Sequence, residues 1–199
     1  MCEMSKNEEK TCIAISGTMA SGKSTVLSYL NRLGYPTYNC DIINAQLQEV
    51  NEIGYLKIVE SFGEDILNDN KEMNRKKLAS IIFNDIEKKK ILESIMHPLI
   101  LKKIYEIRDK HPFAFIEVPL LYELGWEKYF DEDWLITCDE SLCIERCIQN
   151  RNMTKEEVQA RLNHQMSKES KMKKAKIIIE NNGNIQELQK RIDLLLERN

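Results

Sequence analysis

The chain has 199 residues, of which 42% are hydrophobic and 31% charged, and its 29 basic and 32 acidic side chains leave a formal net charge of −3. Seven glycines and four prolines are too few for a collagenous or linker-like chain, so the length reads as one folded domain with its own core. A near-balanced charge offers no extended basic surface for DNA or RNA, and no apolar run reaches the roughly 18 residues needed to span a bilayer.

Residues 1–10 are polar and lack the apolar stretch of a secretory signal, so a cytoplasmic location is expected. The six cysteines, Cys2, Cys12, Cys40, Cys138, Cys143 and Cys147, are scattered and form no C-x-x-C pair. They read as reduced and mostly buried thiols, with no zinc site.

Thr11 to Ser16 is a short apolar run of buried-strand size. Val26, Tyr29, Leu30 and Leu33 follow at helical spacing and are closed by Gly34 and Pro36. A second extended segment ends near Asn39, where Asp41 can cap the next helix. From Ile42 to about Lys110 the chain reads as helices only, with Leu56, Val59 and Phe62 three apart and Ile91, Ile95 and Leu99 four apart. Such a stretch is too long for a simple crossover and reads as an insertion that covers a second substrate. Phe113 to Val118, Trp134 to Cys138 and Lys176 to Ile179 are the remaining strand candidates. Thr154 and Glu157 have capping-box spacing ahead of Val158 and Leu162. Strands alternating with helices predict an α/β fold with a mainly parallel sheet flanked by helices.

Gly17-Thr18-Met19-Ala20-Ser21-Gly22-Lys23-Ser24 fits G-x-x-x-x-G-K-[ST] and lies between a predicted strand and a predicted helix. Glycine lets the backbone curl until its N–H groups converge on phosphate, and the helix N-terminus adds positive potential. Gly17, Ala20, Ser21, Gly22, Lys23, Ser24 and Thr25 are therefore the candidate residues for binding a nucleoside triphosphate, with Lys23 reaching the β- and γ-phosphates and Ser24 holding Mg²⁺. No D-x-x-G or [NT]-K-x-D motif of a GTPase switch follows, which leaves a small-molecule kinase as the favoured class.

In ordered series the chain also carries Cys40-Asp41-Ile42-Ile43, Asn74-Arg75-Lys76-Lys77-Leu78, His97-Pro98-Leu99-Ile100 and Val118-Pro119-Leu120-Leu121-Tyr122-Glu123. Arg151-Asn152-Met153-Thr154, leading to Arg161 and Gln165, and Asn181-Asn182-Gly183 complete it. With the phosphate loop, this series resembles the dephospho-coenzyme A kinases over nearly the whole chain. The resemblance implies a P-loop kinase with a mainly parallel five-stranded sheet, and transfer of the ATP γ-phosphoryl group to the ribose 3′-hydroxyl of dephospho-coenzyme A. It implies a core from about 11–41, 112–150 and 175–199, a helical acceptor-binding region over about 42–111, a lid over about 151–174, and a monomer or weak homo-oligomer without nucleic-acid or membrane partners.

Residue by residue, the resemblance implies Asp41 as the carboxylate facing the attacking hydroxyl and Mg²⁺, against its alternative as a helix cap. Arg151 and Arg161 are implied as lid arginines, with Arg146 a weaker third that reads mainly as an exposed helix residue. Arg75, His97, Pro119 and Leu120 would line the acceptor site, and Asn181 and Gly183 would contact adenine. Glu117 reads as structural, and His111 and His164 receive no role. Three positions depart from the family pattern: Thr18 and Ala20 stand where glycine is usual, and Asn39 replaces the first aspartate of a D-x-D.

Overall fold

The computed structural model describes residues 10–151, 153–163 and 165–198, without the side chain of residue 151. The chain divides into two compact units, one formed by the chain up to Tyr38 and again from Lys110, the other by Asn39–Asp109.

The first unit is built on a five-stranded parallel sheet. Strand β1 (Thr11–Gly17) leads through the phosphate loop into α1 (Lys23–Arg32), and β2 is Thr37–Asn39. After the second unit come β3 (Phe113–Glu117), β4 (Glu132–Thr137), α6 (Glu140–Arg151), α7 (Lys155–Asn163), α8 (Lys168–Met172), β5 (Ile177–Glu180) and α9 (Ile185–Leu196). The strand order is β2-β3-β1-β4-β5, so β1 lies at the centre, in register with β3 (Ile13 opposite Phe115) and with β4 (Ile15 opposite Trp134). A strand buried on both faces reads as a continuous apolar run, which is why these segments were legible in the sequence. On one face Ile13, Ile15, Phe115, Trp134, Ile136 and Ile179 pack with Val26 and Leu30 of α1 and with Leu188 and Ile192 of α9.

The second unit holds α2 (Cys40–Leu47), α3 (Ile53–Phe62), α4 (Arg75–Asn84) and α5 (Ile86–Lys110). Its helical stripes differ from those expected. In α3 the buried face is Gly54, Tyr55 and Ile58, while Leu56 is half exposed. Gly54 sets that face, because a Cβ there would strike the Leu47 carbonyl oxygen. In α5 the buried residues are Met96, Ile100, Ile104 and Ile107, one position on from the expected Ile95 and Leu99, and the helix continues through Pro98.

The cysteines correct one expectation. Cys138 and Cys143 form a disulfide, with Cα atoms 6.4 Å apart, whereas Cys12, Cys40 and Cys147 are buried. Cys138 directly follows β4 and Cys143 lies early in α6, so the β4–α6 turn brings together two thiols that spacing along the chain did not mark as a pair. The Thr154–Glu157 capping box forms as expected: Thr154 N–H donates to Glu157 Oε2 (2.9 Å) and Glu157 N–H donates to Thr154 Oγ1 (3.2 Å).

Candidate active site

The phosphate loop lies at the carboxyl end of β1, the place where open parallel sheets present ligand-binding loops. Gly17 admits no side chain, since a Cβ would collide with the Ile136 carbonyl oxygen and approach Ser21 Oγ to 2.6 Å. Gly22 is held at φ +104°, and a Cβ there would meet the Asn181 amide nitrogen. Lys23 Nζ donates to the carbonyl oxygens of Gly17 (3.0 Å) and Thr18 (2.9 Å), which folds the ammonium across the loop rather than into solvent. Helix α1 has no acidic residue in its first turn, so nothing of its own opposes an anion at that N-terminus.

Ala20 adopts a left-handed backbone, φ 57°, without the freedom of glycine. The neighbouring Met19 is buried against Cys147 and Val158, with Ala20 packed beside them, so the loop is wedged from behind by α6 and α7.

A cleft of about 460 Å³ opens on the loop, lined by Ala20, Gly22, Lys23, Ser24, Thr25 and Glu117 on one side. Arg146, Asn150, Asn181 and Gly183 are among the residues that complete it. The structure thus brings together the predicted loop residues with Asn181 and Gly183. Ser21 is fully buried, and its hydroxyl has no hydrogen-bond partner among the described residues. Asn181 donates its amide to the Ser21 carbonyl at 2.8 Å, so its first structural role is to hold the loop.

Two cleft residues were underrated in the sequence. Arg146 is a lining residue whose Nη1 is buried without a hydrogen-bond partner among the described residues, which corrects its reading as an exposed helix arginine. A guanidinium with unmet donors beside a phosphate cradle suits a nucleotide. Glu117 ends β3, is buried, and faces the same cleft. Its place at the carboxyl end of a parallel strand was the signal that could have found it.

Among the described residues of the first unit, no other predicted residue lines this cleft. Arg161 is exposed on α7, and the side chain of Arg151 lies outside the described residues, as does His164. Pro119 is half-buried and Leu120 largely exposed, and the Pro119 carbonyl accepts a 3.5 Å bond from Ser16 Oγ of β1. In the second unit Asp41 and Arg75 are exposed and His97 is half-buried on α5. Asp41 does not cap its helix. Asn39 does, its Oδ1 accepting from the N–H groups of Asp41 (2.7 Å) and Ile42 (3.2 Å).

The residues present suit a nucleotide and its metal. The glycine positions leave room where any Cβ would intrude, and the buried Arg146 nitrogen has no hydrogen-bond partner among the described residues. Among the described residues no cluster of three or more His, Cys, Asp or Glu could hold a metal. The Ser24 hydroxyl borders the cleft, an oxygen donor of the kind that suits Mg²⁺, an ion held by one or two side chains and the substrate phosphates.

Comparison with known proteins agrees with the geometry. The family model for dephospho-CoA kinase matches residues 11–187. The dephospho-CoA kinase of Lactobacillus johnsonii is 35% identical over 190 residues, covering 93% of this chain and 96% of its own. Among solved structures, a Thermus thermophilus protein superposes with a TM-score of 0.82 at 30% identity, covering 96% of this chain and 98% of its own. The dephospho-CoA kinase from Campylobacter jejuni superposes with a TM-score of 0.70 at 31% identity, covering 94% and 95%. A phosphate loop closed around Lys23, at the centre of this sheet and in a chain matched over nearly its full length, places the protein in the dephospho-CoA kinase family, whose members are ATP-dependent phosphotransferases.

Proposed function

We propose that the chain transfers the γ-phosphoryl group of ATP to the ribose 3′-hydroxyl of dephospho-coenzyme A. The observation that carries this reading is the preformed cradle, in which Lys23 lies across the loop carbonyls and Gly17 and Gly22 leave no space for a side chain. In the transfer the acceptor oxygen bonds to Pγ, the bond from Pγ to the ADP oxygen breaks, and the hydroxyl proton leaves to a base. Asp41 is assigned as that base. Because Asn39 supplies the helix cap, the Asp41 carboxylate is not needed for that role.

Lys23, the loop N–H groups and Arg146 bind and orient the triphosphate, and Asn181 and Gly183 border the nucleoside end of the cleft. Ser24 and Asp41 are the residues assigned to Mg²⁺, which would supply neutralising charge on the phosphates when bound. Arg151 and Arg161 are assigned to the lid over 151–174, where a guanidinium matches phosphoryl oxygens in a bidentate fork. Arg75, His97, Pro119 and Leu120 are assigned to the acceptor. The enzyme is expected to act in the cytoplasm as a monomer or weak homo-oligomer.

The test is ADP release with a panel of acceptors, with the phosphorylated product identified by mass spectrometry. Turnover with dephospho-coenzyme A and a mass gain of one phosphoryl group are expected. Turnover with a nucleoside monophosphate and none with dephospho-coenzyme A would overturn the acceptor assignment.

A further inference from the structure

Lys171 in α8 is the one fully buried cation among the described residues, with none of its side chain exposed. Its ammonium lies 2.9 Å from Glu123 Oε1, and that oxygen also accepts the Met166 N–H at 3.0 Å. Withdrawing an ammonium from water is unfavourable even when it is paired, and an apolar residue of similar length could fill the same space. The pair therefore calls for a reason other than packing.

That reason lies in what its two ends touch. Glu123 belongs to the turn after β3, and at the start of that turn the Pro119 carbonyl accepts from Ser16 Oγ in the strand that leads into the phosphate loop. On the other side, contacts from this turn and the start of β4 run along the segment that carries α8. Glu127 Oε1 pairs with Lys174 at 3.0 Å, and Asp133 Oδ1 accepts both the Tyr122 hydroxyl (2.6 Å) and the Lys176 N–H (3.1 Å). The network is nevertheless incomplete: Glu123 Oε2, Glu127 Oε2 and, between α7 and α8, Gln165 Oε1 are buried without hydrogen-bond partners among the described residues. Buried polar groups are normally satisfied, so unmet capacity marks a place where a shift forfeits few contacts.

We propose that Glu123 and Lys171 are a positioning pair. They fix the base of the lid to the turn that follows β3, so that α7 closes over the phosphates in one register and keeps water from the phosphoryl group. Neither side chain touches the reacting atoms. Their effect is on the partition of the phosphoryl group between acceptor and water, and the proposal rests on the kinase and lid reading above.

The experiment compares Lys171→Met and Glu123→Gln with the unmodified chain. Glutamine keeps an acceptor for Met166 N–H, and methionine keeps most of the apolar stem. For variants that are folded by circular dichroism, ATP hydrolysis without acceptor transfer is measured against phosphorylation of dephospho-coenzyme A. A rise of about tenfold in that ratio is expected for either variant, with Glu123→Asp intermediate, together with faster amide hydrogen exchange in residues 155–163. A merely structural pair would reduce the folded fraction and leave the ratio and that exchange unchanged, which would overturn the proposal. If a single variant does not fold, the double variant Glu123→Gln with Lys171→Met buries no unpaired charge and is scored by the same two measurements. An unmodified chain that phosphorylates no dephospho-coenzyme A refutes the kinase reading instead, and hydrogen exchange still reports on the anchor.

Discussion

The side-chain amide of Asn181 donates a 2.8 Å hydrogen bond to the main-chain carbonyl of Ser21, 160 positions earlier in the sequence. The bond is buried, and it runs beside Gly22, where a Cβ would collide with that same amide. Asn181 follows β5, so the edge of the sheet braces the loop at its centre. Asn181→Ala should cost about 1–3 kcal/mol by leaving a buried carbonyl unpaired, and it should raise KM for ATP more than it lowers kcat. Gly22→Ala should be worse, because it displaces the amide and strains a φ of +104°. Urea unfolding and ATP titration check both, and an Asn181→Ala protein with unchanged stability and KM would show that the brace is dispensable.

Ala20 gives the opposite sign. A non-glycine residue in the left-handed region costs about 1–2 kcal/mol, part of which glycine gives back through greater freedom of the unfolded chain. Ala20 also loses its contact with the Met19 and Cys147 cluster when shortened. Ala20→Gly should therefore stabilise by about 0.5 kcal/mol, a rise of one or two degrees in Tm. A clear fall in Tm would mean that the packing outweighs the strain.

Asn39 caps α2, whereas Asp41 is proposed for the chemistry. Asn39→Ala removes the acceptor for two helix N–H groups and should cost about 1 kcal/mol of stability. Asp41→Asn should leave the melting temperature nearly unchanged while lowering turnover by about 10². Thermal melts and steady-state rates on the two variants test the division, and full turnover by Asp41→Asn would remove Asp41 from the chemistry.

Tyr122 predicts behaviour at alkaline pH. Burial, followed by its hydrogen bond to the Asp133 carboxylate, holds its hydroxyl well above the ordinary phenol range. A folded-state pKa raised above that of the unfolded chain gives stability that is complete below about pH 10 and declines above it by about 1.4 kcal/mol per pH unit. Tyr122→Phe should be less stable at neutral pH, because Asp133 loses a donor, yet should decline less steeply between about pH 10 and 11. Urea midpoints across that range, with tyrosinate absorbance as a second probe, would show parallel slopes if Tyr122 ionised freely in the folded protein.

The strands of the sheet and the phosphate loop were legible in the residues because each depends on local rules. A buried strand must be an apolar run, as in Thr11–Gly17, and a phosphate cradle must have glycine where a Cβ would intrude, as at Gly17 and Gly22. The family resemblance was legible for a related reason, since its motifs are short and contiguous. Other assignments depended on contacts between distant segments, which periodicity does not encode. Gly54 against the Leu47 carbonyl chose which face of α3 is buried, and the β4–α6 turn paired Cys138 with Cys143. Arg146 counts as a cleft residue only because α6 runs beside the loop, and Lys171 is buried only because the fold sets it against Glu123. The near-neutral composition excluded a broad nucleic-acid surface, but the cleft at the phosphate loop has only one lysine, a curled backbone and Arg146. Net charge sums over the whole surface, whereas a binding site depends on which few groups the fold brings within hydrogen-bond range.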